Sequence, residues 1–196
     1  MVDMDRIRNI LDDYFWMSSG SKVEISEQGL VSVVGNVNMK RASRKLPCRF
    51  GEIKGSFSCV SQDLTSLDGA PHLVSGDFSC QHNKLKTLAG GPVTVGGAYN
   101  CQGQALVGLL GLPLTEFKRL YVTYTPKLPV LRALVARKIW LETSDTVARV
   151  GPKRREVTDK VEQILNDPRW MGKGQAGAIA CAAELASAGF KANARW

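Results

Sequence analysis

Gly76-Asp-Phe78-Ser-Cys80-Gln-His-Asn83-Lys-Leu85-Lys-Thr-Leu88-Ala-Gly-Gly-Pro92 is the middle copy of a unit written three times between residues 55 and 113. Its landmarks recur at a spacing of 21: Gly55, Gly76 and Gly97; Phe57, Phe78 and Tyr99; Cys59, Cys80 and Cys101. The same spacing holds for Leu64, Leu85 and Leu106, for Leu67, Leu88 and Leu109, and for Pro71, Pro92 and Pro113. Columns kept in one register over three copies mark a repeat architecture rather than chance. A unit this short cannot bury its own apolar face, so neighbouring units must stack into a continuous core.

A period of 21 falls in the leucine-rich range. The expected fold is α+β: a short leucine-rich-repeat solenoid of parallel β-strands, with an N-terminal helix and hairpin cap and a C-terminal helical pair. Strand alternation turns Phe57, Cys59 and their equivalents inward. Gln62, Asn83 and Gln104, three residues after each Cys, fit an amide ladder that satisfies backbone groups where each strand turns away.

The flanks follow from the same reading. Residues 3–16 carry Ile7, Ile10, Leu11, Tyr14 and Phe15 at helical spacing behind a capping Asp3. Lys22–Ser26 and Leu30–Val34 alternate around Glu27-Gln-Gly29, a hairpin signature. Residues 35–54 read as a degenerate first repeat in which Arg44 stands in the column of Leu64, its head snorkelling to water. Leu120 with Val122, and Ile139 with Leu141, continue the stack, the latter behind a helix-forming connection at Leu131–Lys138. Gly151-Pro152 marks a boundary. Beyond it, Thr158–Asn166 and Gln175–Ala188 read as helices, with Ala176, Ala180 and Ala183 as a small-residue packing face, covered by Phe190 and Trp196. The divisions are thus 1–34 cap, 35–150 solenoid and 151–196 C-terminal helical segment.

Gly76 to Leu88 resembles the short leucine-rich-repeat proteins commonly encoded by tailed bacteriophages. Val33-Val-Gly-Asn-Val-Asn-Met39 with Leu46-Pro47 looks like the first repeat of that group, and Gly172-Lys-Gly-Gln-Ala-Gly177 with Asn-Ala-Arg-Trp196 like its C-terminal tail. The resemblance covers nearly the whole chain from about residue 22. It implies a small protein made in the cytoplasm of an infected bacterium and supplies no catalytic residues.

The chemistry-bearing motifs are sparse. The segment from Gly172 to Gly177 lacks the order and the Ser/Thr of a phosphate-binding loop. Two histidines, His72 and His82, occupy unrelated repeat positions and complete neither a triad nor a zinc site, so the expectation is no enzyme, no metal and no cofactor. Five cysteines without a Cys-x-x-Cys pair read as reduced core fillers of a cytosolic protein. No apolar run approaches the roughly 18 to 20 residues of a membrane helix, and the start, acidic and then amphipathic, is unlike a secretory signal.

What remains is the outward strand face. The late rows bring Arg119, Tyr121, Lys138 and Trp140, and Arg, Tyr and Trp are the residue types enriched at binding hot spots. Asp77, Gln81, Asn100 and Gln102 lie outward in the earlier rows, and these eight form the expected site for a protein partner. At this level Tyr121 and Trp140 could equally pack against the C-terminal helices. The alternative partner is nucleic acid, held by Lys40, Arg41, Arg44, Lys45 and Arg49 with Lys153, Arg154 and Arg155, in keeping with a net charge of +8.

Overall fold

The computed structural model describes residues 2–143 and 153–196; the boundary read at Gly151-Pro152 lies outside the described residues. The chain is a β-solenoid of about 5 stacked parallel coils with three helices. In order, α1 is Met4–Tyr14, β1 Phe15–Met17, β2 Lys22–Ile25, β3 Leu30–Val34, β4 Val37–Met39, β5 Arg49–Lys54, β6 Phe57–Ser58 and β7 Leu73–Val74. There follow β8 Phe78–Ser79, β9 Thr94–Val95, β10 Ala98–Cys101, β11 Arg119–Tyr124, β12 Ile139–Thr143, α2 Lys153–Leu165 and α3 Gly174–Ser187.

Two sheets line the coil. The first runs β1-β4-β6-β8-β10-β11-β12 and the second β2-β3-β5-β7-β9. Within them β1 meets β4 antiparallel and β2 meets β3 antiparallel, as the hairpin pattern required, and the later pairings are parallel. The register matches the sequence columns: Phe57 pairs Phe78, Phe78 pairs Tyr99, Tyr99 pairs Leu120, and Leu120 pairs Ile139. The second sheet was not expected. Its members Leu73–Val74 and Thr94–Val95 are two residues long, in connections whose Gly and Pro residues predict extended or turn-like backbone.

Both inner faces meet in one dry core. The Phe57, Cys59, Leu64 and Leu67 columns are buried throughout, opposed by Ile53, Val74 and Val95 from the second sheet. An aromatic file runs along the axis, with centroid separations of 5.0 Å for Phe15–Phe50, 5.0 Å for Phe50–Phe57, 5.8 Å for Phe57–Phe78 and 4.9 Å for Phe78–Tyr99. Gly76 and Gly97 hold the corner between the sheets, where a Cβ would sit 2.9 Å from the carbonyl oxygens of Gly55 and Gly76 respectively. Only glycine lets successive coils approach that closely.

The amide ladder forms as its chemistry demands. Asn83 Oδ1 accepts from the N–H groups of Gln62 (3.0 Å) and Leu64 (2.9 Å), and its Nδ2 donates to the Cys59 and Cys80 carbonyls (2.8 Å each). Gln104 repeats this one coil on, accepting from Leu85 N–H at 3.0 Å and donating to Cys80 O at 2.6 Å. Gln62 departs from the pattern: its Nε2 turns back to its own Val60 carbonyl at 2.9 Å.

Three expectations are corrected. Arg44 is not in the Leu64 column, because its carbonyl pairs with Thr65 N–H at 2.9 Å, 21 residues on, just as Lys86 pairs with Val107. It therefore stands in an exposed column, and the missing residue of the first repeat falls before it rather than after. The N-terminal helix stops at Tyr14, and Phe15–Met17 leaves it to become an extra strand. Finally, α3 buries Gly177, Ala178, Cys181 and Leu185, leaving Ala176, Ala180 and Ala183 exposed. Its neighbours on the inner side are the 3-10 turn Leu131–Val135 and α2.

The C-terminal helices close the stack. Asn166, just past α2, accepts from Ile139 N–H at 2.8 Å and donates to Ile139 O at 2.7 Å, and Glu162 accepts from Leu141 N–H. These side chains stand in for the strand that β12 lacks, which removes an open edge. Asn193 does the same for the tail, donating to Leu128 O at 2.8 Å and accepting from Tyr124 Oη at 3.0 Å. Trp170 is buried beneath, its indole donating to Ile164 O at 2.7 Å, whereas Trp196 is 67% exposed rather than a cover.

Removing Asn83 strands several buried backbone groups at once, so Asn83→Leu should destabilise by about 3 kcal/mol or more. Tyr99 carries a buried hydroxyl without a hydrogen-bond partner where the other two repeats have Phe. Tyr99→Phe should therefore be neutral or stabilising, by up to about 1 kcal/mol. Denaturant melts of the two variants check both signs.

Candidate functional site

The outward side of the seven-stranded sheet is a set of columns one strand spacing apart. In register, the central column is Trp16, Asn38, Ser58, Ser79, Asn100, Tyr121 and Trp140. It is aromatic at both ends and short and polar between. Trp16 is 56% exposed, and by residue pattern alone it reads as the last turn of a helix. Only its pairing with Asn38 places it on this face.

Tyr121 and Trp140 stack at 4.8 Å with 11° between their planes. That separation equals the spacing of adjacent strands, as expected of two near-parallel rings carried on paired residues of neighbouring strands. Lys138 Nζ lies 4.7 Å from the centre of the Trp140 ring, and a 4.8 Å stack leaves room for it only on the face away from Tyr121. Both rings are half-buried, and α2 meets the sheet at the backbone edge of β12 rather than over them. The other face of Tyr121 looks over Asn100 along the polar floor. Arg119 and Lys138 stand exposed beside the stack, one column over.

The remaining candidates divide by what they touch. Asp77 Oδ1 accepts the Ala98 N–H at 2.7 Å, the last rung of a second ladder in which Ser18 serves Asn36, Asn36 serves Ser56 and Ser56 serves Asp77 (3.0, 2.8 and 3.0 Å). Asp77 is thus committed to backbone through one oxygen, on a residue that is exposed. Asn100 Oδ1 accepts from Gln102 N–H at 3.2 Å, whereas Gln81 and Gln102 flank the floor half-buried. The structure brings Arg119, Tyr121, Lys138 and Trp140 together and sets the other four along the trough leading to them.

Lys40, Arg41, Arg44, Lys45 and Arg49 are all exposed, at the first coil, with Arg41 lying 5.0 Å from the centre of the Tyr14 ring. Arg155 is exposed on α2, beyond β12; the side chains of Lys153 and Arg154 lie outside the described residues. The two basic stretches therefore occupy opposite ends of the solenoid, roughly 24 Å apart by strand count.

Nucleophile chemistry finds little purchase. Cys59, Cys80 and Cys101 are free and fully buried. Burial pushes the Cys59 thiol up to about 12 and raises Cys80 well above the ordinary thiol value, with its two neighbouring thiols adding to the effect. The thiols of Cys59 and Cys101 donate to the Ser79 and Tyr121 carbonyls at 3.6 and 3.4 Å. Among the described residues no group of three or more His, Cys, Asp or Glu converges as a metal site, and no helix is long and apolar enough to cross a membrane.

No protein-family model, curated protein or solved structure matches the chain.

The buried thiols make stability sensitive to alkali. A thiol held neutral by folding contributes its full share below the ordinary value of 9.0 and loses it as pH rises toward about 12, because only the unfolded chain ionises in that window. Melting temperature should fall over that range, and a Cys59→Ala, Cys101→Ala variant should lose less of it than the natural sequence does.

Proposed function

We propose that the chain is a non-enzymatic protein-binding module of leucine-rich type, encoded by a tailed bacteriophage, that engages a host or phage protein in the bacterial cytoplasm during host takeover or anti-defence. The repeat columns Leu64, Leu85, Leu106 and Leu67, Leu88, Leu109, all buried, support the leucine-rich assignment. The observation that carries the binding role is the Tyr121–Trp140 stack, half-exposed on a sheet face with Arg119 and Lys138 beside it. Stacked aromatics held rigid by a sheet lose little entropy on binding, and Arg, Tyr and Trp dominate interface energetics.

Capture from infected-cell lysate tests it. The natural sequence should retain a protein that Tyr121→Ala, Trp140→Ala releases, with the variant's melt within about 1 kcal/mol per residue of the parent, as surface substitutions are. Equal capture by both chains contradicts the proposal. A second reading, nucleic acid held by residues 40–49, draws on the exposure of all five cations there. It requires labelled DNA or RNA to bind at low salt and release steeply at physiological salt.

A further inference from the structure

The charges around the stack say what kind of partner fits it. Arg119 and Lys138 are exposed in one column of the face, and Lys118, just before β11, is exposed at the neighbouring corner between the sheets. Among the described residues the ion pairs employ Arg8, Lys84, Arg137 and Arg169, so none of these three cations has a carboxylate partner. Adjacent Arg137 is neutralised by Glu116 at 2.6 Å, which leaves the unpaired charge at the edge of the trough rather than spread around the coil.

The cationic spot is also bounded. In the Arg119 column the next outward groups are Ala98 and then the carboxylate of Asp77, and on the other side of the stack stands Glu142, whose Oε2 accepts from Thr123 Oγ1 at 3.2 Å. A phosphate backbone crossing the strands would meet a carboxylate within two steps along either column. A few carboxylates gathered at the corner would not. The floor from Trp16 to Tyr121 spans five strand steps, roughly 24 Å, the reach of about seven extended residues.

We infer that the outer face of the seven-stranded sheet takes a short, extended, acidic protein segment, its carboxylates paired with Arg119 and Lys118 and a flat side chain laid on the free face of Tyr121, with Lys138 adding positive charge from beyond Trp140. This rests on the protein-binding reading and adds the partner's charge, length and direction across the strands. Lys138, drawn over Trp140, keeps its charge at the rim of the stack.

The test uses the full chain and three labelled probes followed by fluorescence anisotropy. They are a heptapeptide with its glutamates gathered at one end next to a tyrosine and uncharged residues along the rest, the same peptide with glutamine for glutamate, and an oligothymidylate of equal extended length. The acidic peptide should bind, weaken with added salt, and outbind the glutamine peptide by about tenfold or more, as loss of several charge pairs requires. Lys118→Glu with Arg119→Glu, and separately Tyr121→Ala, should each weaken it about tenfold, whereas Lys54→Glu on the opposite sheet should not. No binding of the acidic peptide at low salt, equal binding of the two peptides, or tighter binding of the oligothymidylate would each overturn the inference. If the charge-reversed chain still captures its protein from lysate while Tyr121→Ala, Trp140→Ala does not, the face binds protein but not through acidic chemistry.

Discussion

Each coil must turn away from the seven-stranded sheet inside a dry interior, where its backbone N–H and C=O groups have no water to bond. In the central coils one amide side chain, Asn83 and then Gln104, solves this, and the stacking of the repeats depends on it. Asn83 ties Gln62 and Leu64 in its preceding coil to Cys59 and Cys80, so two coils share one polar node. Because an unsatisfied buried group costs about 1 to 3 kcal/mol, the node fixes the register more firmly than interchangeable apolar contacts could. The glycine column then allows the coils to approach until those bonds reach their length.

A stack with fixed register has two ends to protect and two faces left over. At the start, α1 and the extra strands β1 and β2 cover the core, with Leu11 and Phe15 driven under the first coil. At the finish, Asn166 and Glu162 imitate a strand against β12. Both caps act on the ends of the axis, which leaves the outer face of the seven-stranded sheet uncovered by any described helix. A rigid, uncovered face with an aromatic stack at one end is what the proposed binding role uses.

Much of this was legible in the residues. The identity columns placed β6, β8 and β10, and spacing alone carried β11 and β12 into the same register. The amide ladder followed from asking where buried donors go. What stayed hidden had physical reasons. Strands of two residues such as Leu73–Val74 have no alternation to read, and they sit beside Pro and Gly that suggest turns. The buried face of α3 could not be found by pattern, since small apolar residues surround that helix on all sides and the solenoid end selects which of them is covered. Trp16 joined the candidate site only through a long-range pairing with Asn38, and the Tyr121–Trp140 stack needed the strand spacing as well as the residue types.

The central claim is that one residue per coil, at a fixed place, points into a sealed core shared by all coils. Native thiol labelling reads this directly, because Cys59, Cys80 and Cys101 sit in one inward column and Cys48 is only half-buried at its edge. Mass spectrometry after brief exposure to a maleimide, without denaturant, should show Cys48 as the fastest site and the three column thiols unmodified until the chain is unfolded. Rapid modification of Cys59, Cys80 or Cys101 in the native protein would contradict both the inward assignment and the register on which every face of the molecule depends.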